Sequence, residues 1–210
     1  MSTAVEFKER HFVYETHPYP DHINSDTKVL VIGTFPSHVK NAGFAFYYAG
    51  EGNMFWELLS VVFGYQFRKL KGEAAVKERK ALLDTYHIGI TDMVSTCYRY
   101  KGFSGDEYIF PVAIKDILGL LDQFPSIERL VFTSRTFIVG ALGRFSSYLI
   151  ERGLEMEDMG FDGDNLLRSA LYYDSRKIDI LVPISPSKRV QRDERFDFDE
   201  MVEMYKKSLR

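Results

Sequence analysis

Six residues, Lys28-Val-Leu-Val-Ile-Gly33, constrain the fold more than any other part of this chain. Their apolar core has no polar interruption and stops at a glycine. Such a run makes a strand buried on both faces, as in a parallel sheet. A strand covered on both sides needs helices above and below it, which places the chain among α/β domains. The remaining segments supply the parts. Apolar side chains at 54, 55, 58, 59, 62 and 63 repeat at helical spacing. Further helices are predicted over about 73–86, over about 113–123 after Pro111, and from the plausible N-cap Ser134 to near Gly153. Residues 88–92 and 129–132 read as short strands. Residues 167–173 and 178–184 flank Asp174-Ser-Arg-Lys177 as in a hairpin. A last helix covers about 197–209. The expected architecture is a three-layer α/β sandwich with a central, mostly parallel sheet of about four strands. One domain spans 1–210, with 1–25 as an N-terminal arm held extended at His17-Pro-Tyr-Pro20.

Composition narrows the function classes. No stretch approaches the eighteen or so apolar residues of a membrane span, and the charged first ten residues do not resemble a secretory leader. The single cysteine, Cys97, rules out an internal disulfide and a Cys-ligated zinc or iron–sulfur site. A reducing, cytoplasmic setting is expected. His17, His22 and His87 lack metal-ligand spacing, so neither metal nor cofactor is expected. A net charge of −3 argues against a broad basic DNA-binding surface but leaves room for a local basic edge.

In a fold of this kind, ligands sit beyond the carboxyl ends of the strands. Those ends are Gly33, Asp92, Phe132 and Ile184. The G-x-G-x-x-G and P-loop patterns are both absent, which argues against a nucleotide cofactor. Instead, Gly33-Thr34-Phe35-Pro36-Ser37 leads into a loop holding Phe44, Phe46, Tyr47 and Tyr48 among glycines. Such aromatics either close the core or stack on a flat ligand, at about 1–3 kcal/mol per stacked base. Asn53 is placed to cap the next helix and, from the same position, to reach the strand ends. Asp92 suits either a turn cap or an acceptor for a base or water. His38 is a loop histidine near the same end, and Lys101 is a candidate phosphate contact. After the last strand come Ser185-Pro186-Ser187-Lys188-Arg189, which with Arg192 form the best local basic edge.

Gly33-Thr-Phe-Pro-Ser37, Tyr47-Tyr48-Ala49 and Asn53-Met-Phe-Trp56 together resemble the uracil-DNA glycosylase superfamily. The resemblance is closest to the hypoxanthine (deoxyinosine) branch and runs from about His17 to Leu209. It implies a monofunctional DNA N-glycosylase, a monomer acting on DNA that contains a damaged base. By this resemblance Tyr48, together with Phe35, stacks on an extruded base. Gly33, Thr34, Ser37 and Thr133 surround the base edge, and Asn53 holds the attacking water. Ser185, Pro186 and Ser187 match the loop that enters the minor groove, with Lys188 beside it and Arg189 in the wedge position. Three positions depart from the pattern. Gly50-Glu51-Gly52 stands where relatives carry His-Pro, Thr133 replaces a common asparagine, and Arg189 replaces an apolar wedge. The base itself is left open among hypoxanthine, uracil and xanthine. A non-catalytic lesion binder on the same fold is the alternative, and a small-molecule enzyme a third.

Overall fold

The computed structural model describes residues 11–37, 43–194 and 196–210. The apolar run forms β2, Val29–Gly33. Val29 and Val31 point into one core, while Leu30 and Ile32 point into another on the opposite face. β2 lies between two parallel neighbours, β3 (Ile88–Asp92) and β6 (Arg129–Phe132). β6 in turn pairs in parallel with β9, Arg176–Val182. The four expected parallel strands are thus present. β8 (Leu167–Tyr173) joins β9 as the antiparallel arm of the hairpin. The two-residue β7 (Gly160–Phe161) completes the sheet in the order β3-β2-β6-β9-β8-β7.

Helices cover both faces. On one side lie α1 (Phe55–Phe63), α2 (Gly72–Thr85) and the closing helix α6 (Phe198–Leu209). On the other lie α3 (Ile117–Gln123) and α4 (Ala141–Ile150). The short α5 (Lys188–Glu194) follows the last strand of the hairpin. The α6 start carries a full capping box, with Asp197 and Glu200 each accepting the other's backbone N–H.

Three expectations need correction. The stretch read as an arm contains a strand, β1 (Phe12–Thr16), paired antiparallel with β4, Val94–Tyr100. Further along, His22 exchanges backbone hydrogen bonds with Ile90 beside β3. The helix expected over about 113–123 is shorter, because residues Ile109–Ile114 form β5, the third strand of a small antiparallel sheet β1-β4-β5. Ile109, Val112 and Ile114 favour a strand, and Pro111 is tolerated because β5 lies at a sheet edge. Asp116 then caps α3 by accepting the Gly119 N–H. Finally, Ser134 does not cap α4. That helix starts seven residues later at Ala141, and the serine hydroxyl is used elsewhere.

The α6 face fixes the chain just before the Ser-Pro-Ser segment. The buried Tyr205 hydroxyl donates to the Ile184 carbonyl at 3.1 Å. Tyr205→Phe would leave that acceptor without its partner, a cost of about 1–3 kcal/mol. Urea unfolding should show a lower midpoint with an unchanged slope. An unchanged midpoint would show that the bond contributes nothing.

Candidate active site

The carboxyl ends of β2, β3, β6 and β9 open into a cleft of about 800 Å³. Gly33, Thr34, Phe35, Ser37, Tyr48, Asn53, Thr133 and the Ser185-Pro186-Ser187-Lys188-Arg189 segment all line it. The topology therefore brings together residues up to 156 positions apart in the chain, from Gly33 to Arg189. Lys101 is exposed and does not line this cleft. His38 lies outside the described residues.

The floor is built on Gly33. A Cβ there would collide with the Asp92 carboxylate and come within 2.7 Å of the Tyr48 hydroxyl. Glycine is thus required for two polar side chains to meet over the end of β2. Asp92 is not a turn cap. Its Oδ2 is 2.8 Å from His17 Nε2 in a buried pair, and His17 Nδ1 is 2.7 Å from the Tyr19 carbonyl. The segment after β1 thereby closes the back of the cleft.

Tyr48 adopts φ 54°, in the left-handed region. This conformation costs a non-glycine residue on the order of 1–2 kcal/mol. It lays the ring against Phe55, with centroids 4.3 Å apart, and puts the hydroxyl 2.8 Å from Thr133 Oγ1. Burial, with the Asp92 charge nearby, pushes the Tyr48 hydroxyl well above its ordinary pKa, so it stays neutral. The other loop aromatics are mainly structural. Tyr47 and Phe46 are nearly fully buried, and Phe44 packs under the Arg79 guanidinium. The Trp56 indole N–H holds the Tyr47 carbonyl at 2.9 Å, which anchors the loop immediately before Tyr48. Phe35 is also a wall rather than an open face. The Arg99 guanidinium lies 5.0 Å from its ring, and His17 meets it edge-on.

Asn53 sits where the two loops join. Its Oδ1 accepts the Phe55 N–H at 2.9 Å, although Met54 occupies the formal N-cap position. The backbone on either side is tied to the Ser-Pro-Ser segment. Met54 N–H donates to the Pro186 carbonyl at 2.7 Å, and Lys188 N–H donates to the Gly52 carbonyl at 2.9 Å. Asn53 and Ser187 form a bridge between these bonds. Lys188 and Arg189 remain exposed at the rim, while Arg192 pairs with Asp193.

Asp106 is a cleft residue that motif reading missed. It begins a 3-10 turn, Asp106–Tyr108, between β4 and β5. Its Oδ2 accepts the Thr34 hydroxyl at 2.8 Å and the Ser134 hydroxyl at 3.4 Å. Both donors follow the ends of sheet strands. Nothing local in Gly105-Asp-Glu-Tyr108 marks the residue, because its partners are 72 and 28 positions away. Arg135 also lines the cleft and was not foreseen. It is held through the Val182 carbonyl.

Fold and cleft define a class first: an α/β sandwich with a cleft at the carboxyl ends of its parallel strands. The family model described as Uracil DNA glycosylase superfamily matches residues 20–208, and the chain belongs to that superfamily. Among solved structures, the solution NMR structure of a "putative Uracil DNA glycosylase" from Methanosarcina acetivorans is similar in fold. It has a TM-score of 0.55 and 20% sequence identity over 91% of this chain and 94% of the other. No curated protein matches the sequence. Among the described residues, no group of His, Cys, Asp or Glu gathers to hold a metal ion, and no helix is long and apolar enough to cross a membrane.

Burial raises the Asp106 pKa, with the Thr34 hydroxyl, the Arg144 charge and the Ser134 hydroxyl opposing it in that order. A raised folded-state value means that the folded protein binds this proton more tightly than the unfolded chain. The resulting stability is present below the ordinary aspartate value of about 3.9 and is lost as pH rises through the folded value. Asp106→Asn should therefore melt higher than the parent at pH 7.5, with the difference shrinking towards pH 4. Paired thermal melts check this. A variant that melts lower at pH 7.5, by a margin independent of pH, would contradict it.

Proposed function

We propose that this chain is a monofunctional DNA glycosylase of base excision repair. In this reading it extrudes a deaminated base, hypoxanthine, uracil or xanthine, and hydrolyses the N-glycosidic bond. The observation that carries the reading is the convergence of Tyr48, Asn53 and the Ser185-Pro186-Ser187 segment on one cleft. The hypoxanthine branch is favoured by the sequence around Tyr48 and Asn53. The protein would act as a single cytoplasmic domain over residues 1–210, as a monomer, without a metal or cofactor.

Extrusion costs a few kcal/mol of stacking and pairing. Stacking against Tyr48 recovers part of this, and the ring is pre-set for it because Phe55 backs one face. Asn53 has a second lone pair on Oδ1 and an amide group without a hydrogen-bond partner among the described residues, with which to hold a water at C1′. A neutral amide is a poor base, so bond breaking runs ahead of water attack. The positive charge that builds on the sugar is offset by the DNA's own phosphates and by fixed dipoles. Lys188, the lysine lining the cleft among the described residues, lies at the rim and is not placed as a Schiff-base nucleophile. Its charge and that of Arg189 suit phosphate contacts, with Arg189 available to stack where the base has left.

A non-catalytic lesion binder is the second reading. It is favoured by the engagement of the Thr133 hydroxyl with Tyr48 and by the Gly50-Glu51-Gly52 loop.

The test uses duplexes carrying hypoxanthine, uracil or xanthine, followed by alkali. Wild type should generate breaks at one or more lesions. Asn53→Ala should release base about 10²–10³-fold more slowly, the usual cost of losing one preorganised polar group. Lesion-selective binding without breaks would support the binder. No breaks and no DNA affinity at low salt would end both readings.

A further inference from the structure

The hypoxanthine, uracil and xanthine rings share a lactam edge, a ring N–H donor beside a carbonyl acceptor. A pocket selective for this edge needs an acceptor aimed at the N–H. The superfamily resemblance would place an amide at position 133, but threonine stands there and its hydroxyl is engaged with Tyr48. The other carboxylate and amide side chains that line the cleft are poorly placed for the task. Asp92 is held by His17 and occupies the space over Gly33. Asn53 Oδ1 takes a helix N–H, and in the glycosylase reading its other lone pair faces the water at C1′ and not the base edge. Glu51 and Glu107 are exposed.

Asp106 differs from all of these. Its Oδ2 is held from two sides by hydroxyls that follow β2 and β6, while Oδ1 has no hydrogen-bond donor among the described residues. The backbone beneath it is also fixed. The Arg144 guanidinium donates to the Ile109 carbonyl at 2.9 Å and reaches the Asp106 carbonyl at 3.5 Å. The carboxylate makes no ion pair among the described residues, so burying it is unfavourable for stability. A site that carries such a cost while leaving one acceptor atom open is built for a ligand donor.

We propose that Asp106 is the base-reading residue of this cleft, its Oδ1 accepting the ring N–H of a lactam base. This assignment rests on the glycosylase reading and adds the feature by which the base is recognised. Adenine and cytosine present an unprotonated ring nitrogen at the corresponding position. That lone pair would face a carboxylate, so adenine and cytosine are rejected by repulsion as well as by a missing bond, whereas guanine and thymine carry the same lactam edge and are not distinguished by this contact.

The experiment compares base release from duplexes carrying hypoxanthine or uracil with release from the same duplexes carrying 1-methylhypoxanthine or 3-methyluracil. The methyl group removes the N–H and also weakens pairing, so easier extrusion would favour the methylated base. Wild type should nevertheless release it at least about 10³-fold more slowly, since sites built around a substrate N–H discriminate strongly against its loss. Asp106→Asn keeps an acceptor and should stay within about tenfold of wild type on the lactam bases. Asp106→Ala should fall about 100-fold on the lactam bases, and its preference over the methylated bases should shrink to within about tenfold.

If wild type releases lactam bases but treats methylated ones equally, the assignment is overturned whatever the variants do. It is also overturned if folded Asp106→Ala keeps the wild-type rate or the wild-type discrimination. In either case the glycosylase reading stands. If wild type releases no base from any duplex, the glycosylase reading fails and the assignment falls with it.

Discussion

Asp92 and Tyr48 can meet at the end of β2 because Gly33 has no Cβ. The rest of the cleft follows from this close approach. Asp92 reaches back to His17, which draws the segment after β1 against the sheet and makes the N-terminal region part of the site. Tyr48 turns through a left-handed backbone conformation, presses one ring face on Phe55 and touches Thr133 at the end of β6. A single missing side chain thus links the ends of three parallel strands to one aromatic ring.

A second constraint acts on the loops. Backbone bonds from Met54 to Pro186 and from Lys188 to Gly52 hold the two loops together, with Asn53 between them. This bears on the departure at Gly50-Glu51-Gly52. Backbone bonding does not depend on the side chains of these residues, so the junction forms with Gly50-Glu51-Gly52 in this place. The polar groups are arranged at some cost. Tyr48 is strained, and the partly buried Asp106 carboxylate makes no ion pair among the described residues. Such features persist when the surrounding structure holds them in place. Here the Trp56 indole, the Thr34 and Ser134 hydroxyls and Arg144 do so.

The sequence is most legible where physical signals are local. The β2 run could be read because burial on both faces leaves no polar residue to blur its limits. The four strand ends follow from it, and with them the position of the cleft. Non-local signals were hidden. Ser134 has the form of a helix cap, but its hydroxyl is claimed by Asp106, 28 residues earlier. Phe12–Thr16 has strand composition, but its pairing with β4 spans 80 to 88 residues. Among the four loop aromatics, spacing alone could not identify Tyr48 as the one turned towards Thr133. That choice depends on the Trp56 indole and on Arg79, which secure its neighbours.

The central claim is that this cleft receives a base drawn out of the DNA stack. The direct measurement is the fluorescence of 2-aminopurine placed next to a hypoxanthine in duplex DNA, titrated with Asn53→Ala protein so that extrusion is observed before the slowed base release. Emission should rise to saturation as the neighbouring base leaves the stack, should not rise with undamaged duplex, and should be much weaker when Tyr48 is also replaced by alanine. Saturable binding to the lesion duplex with no change in emission would contradict the account.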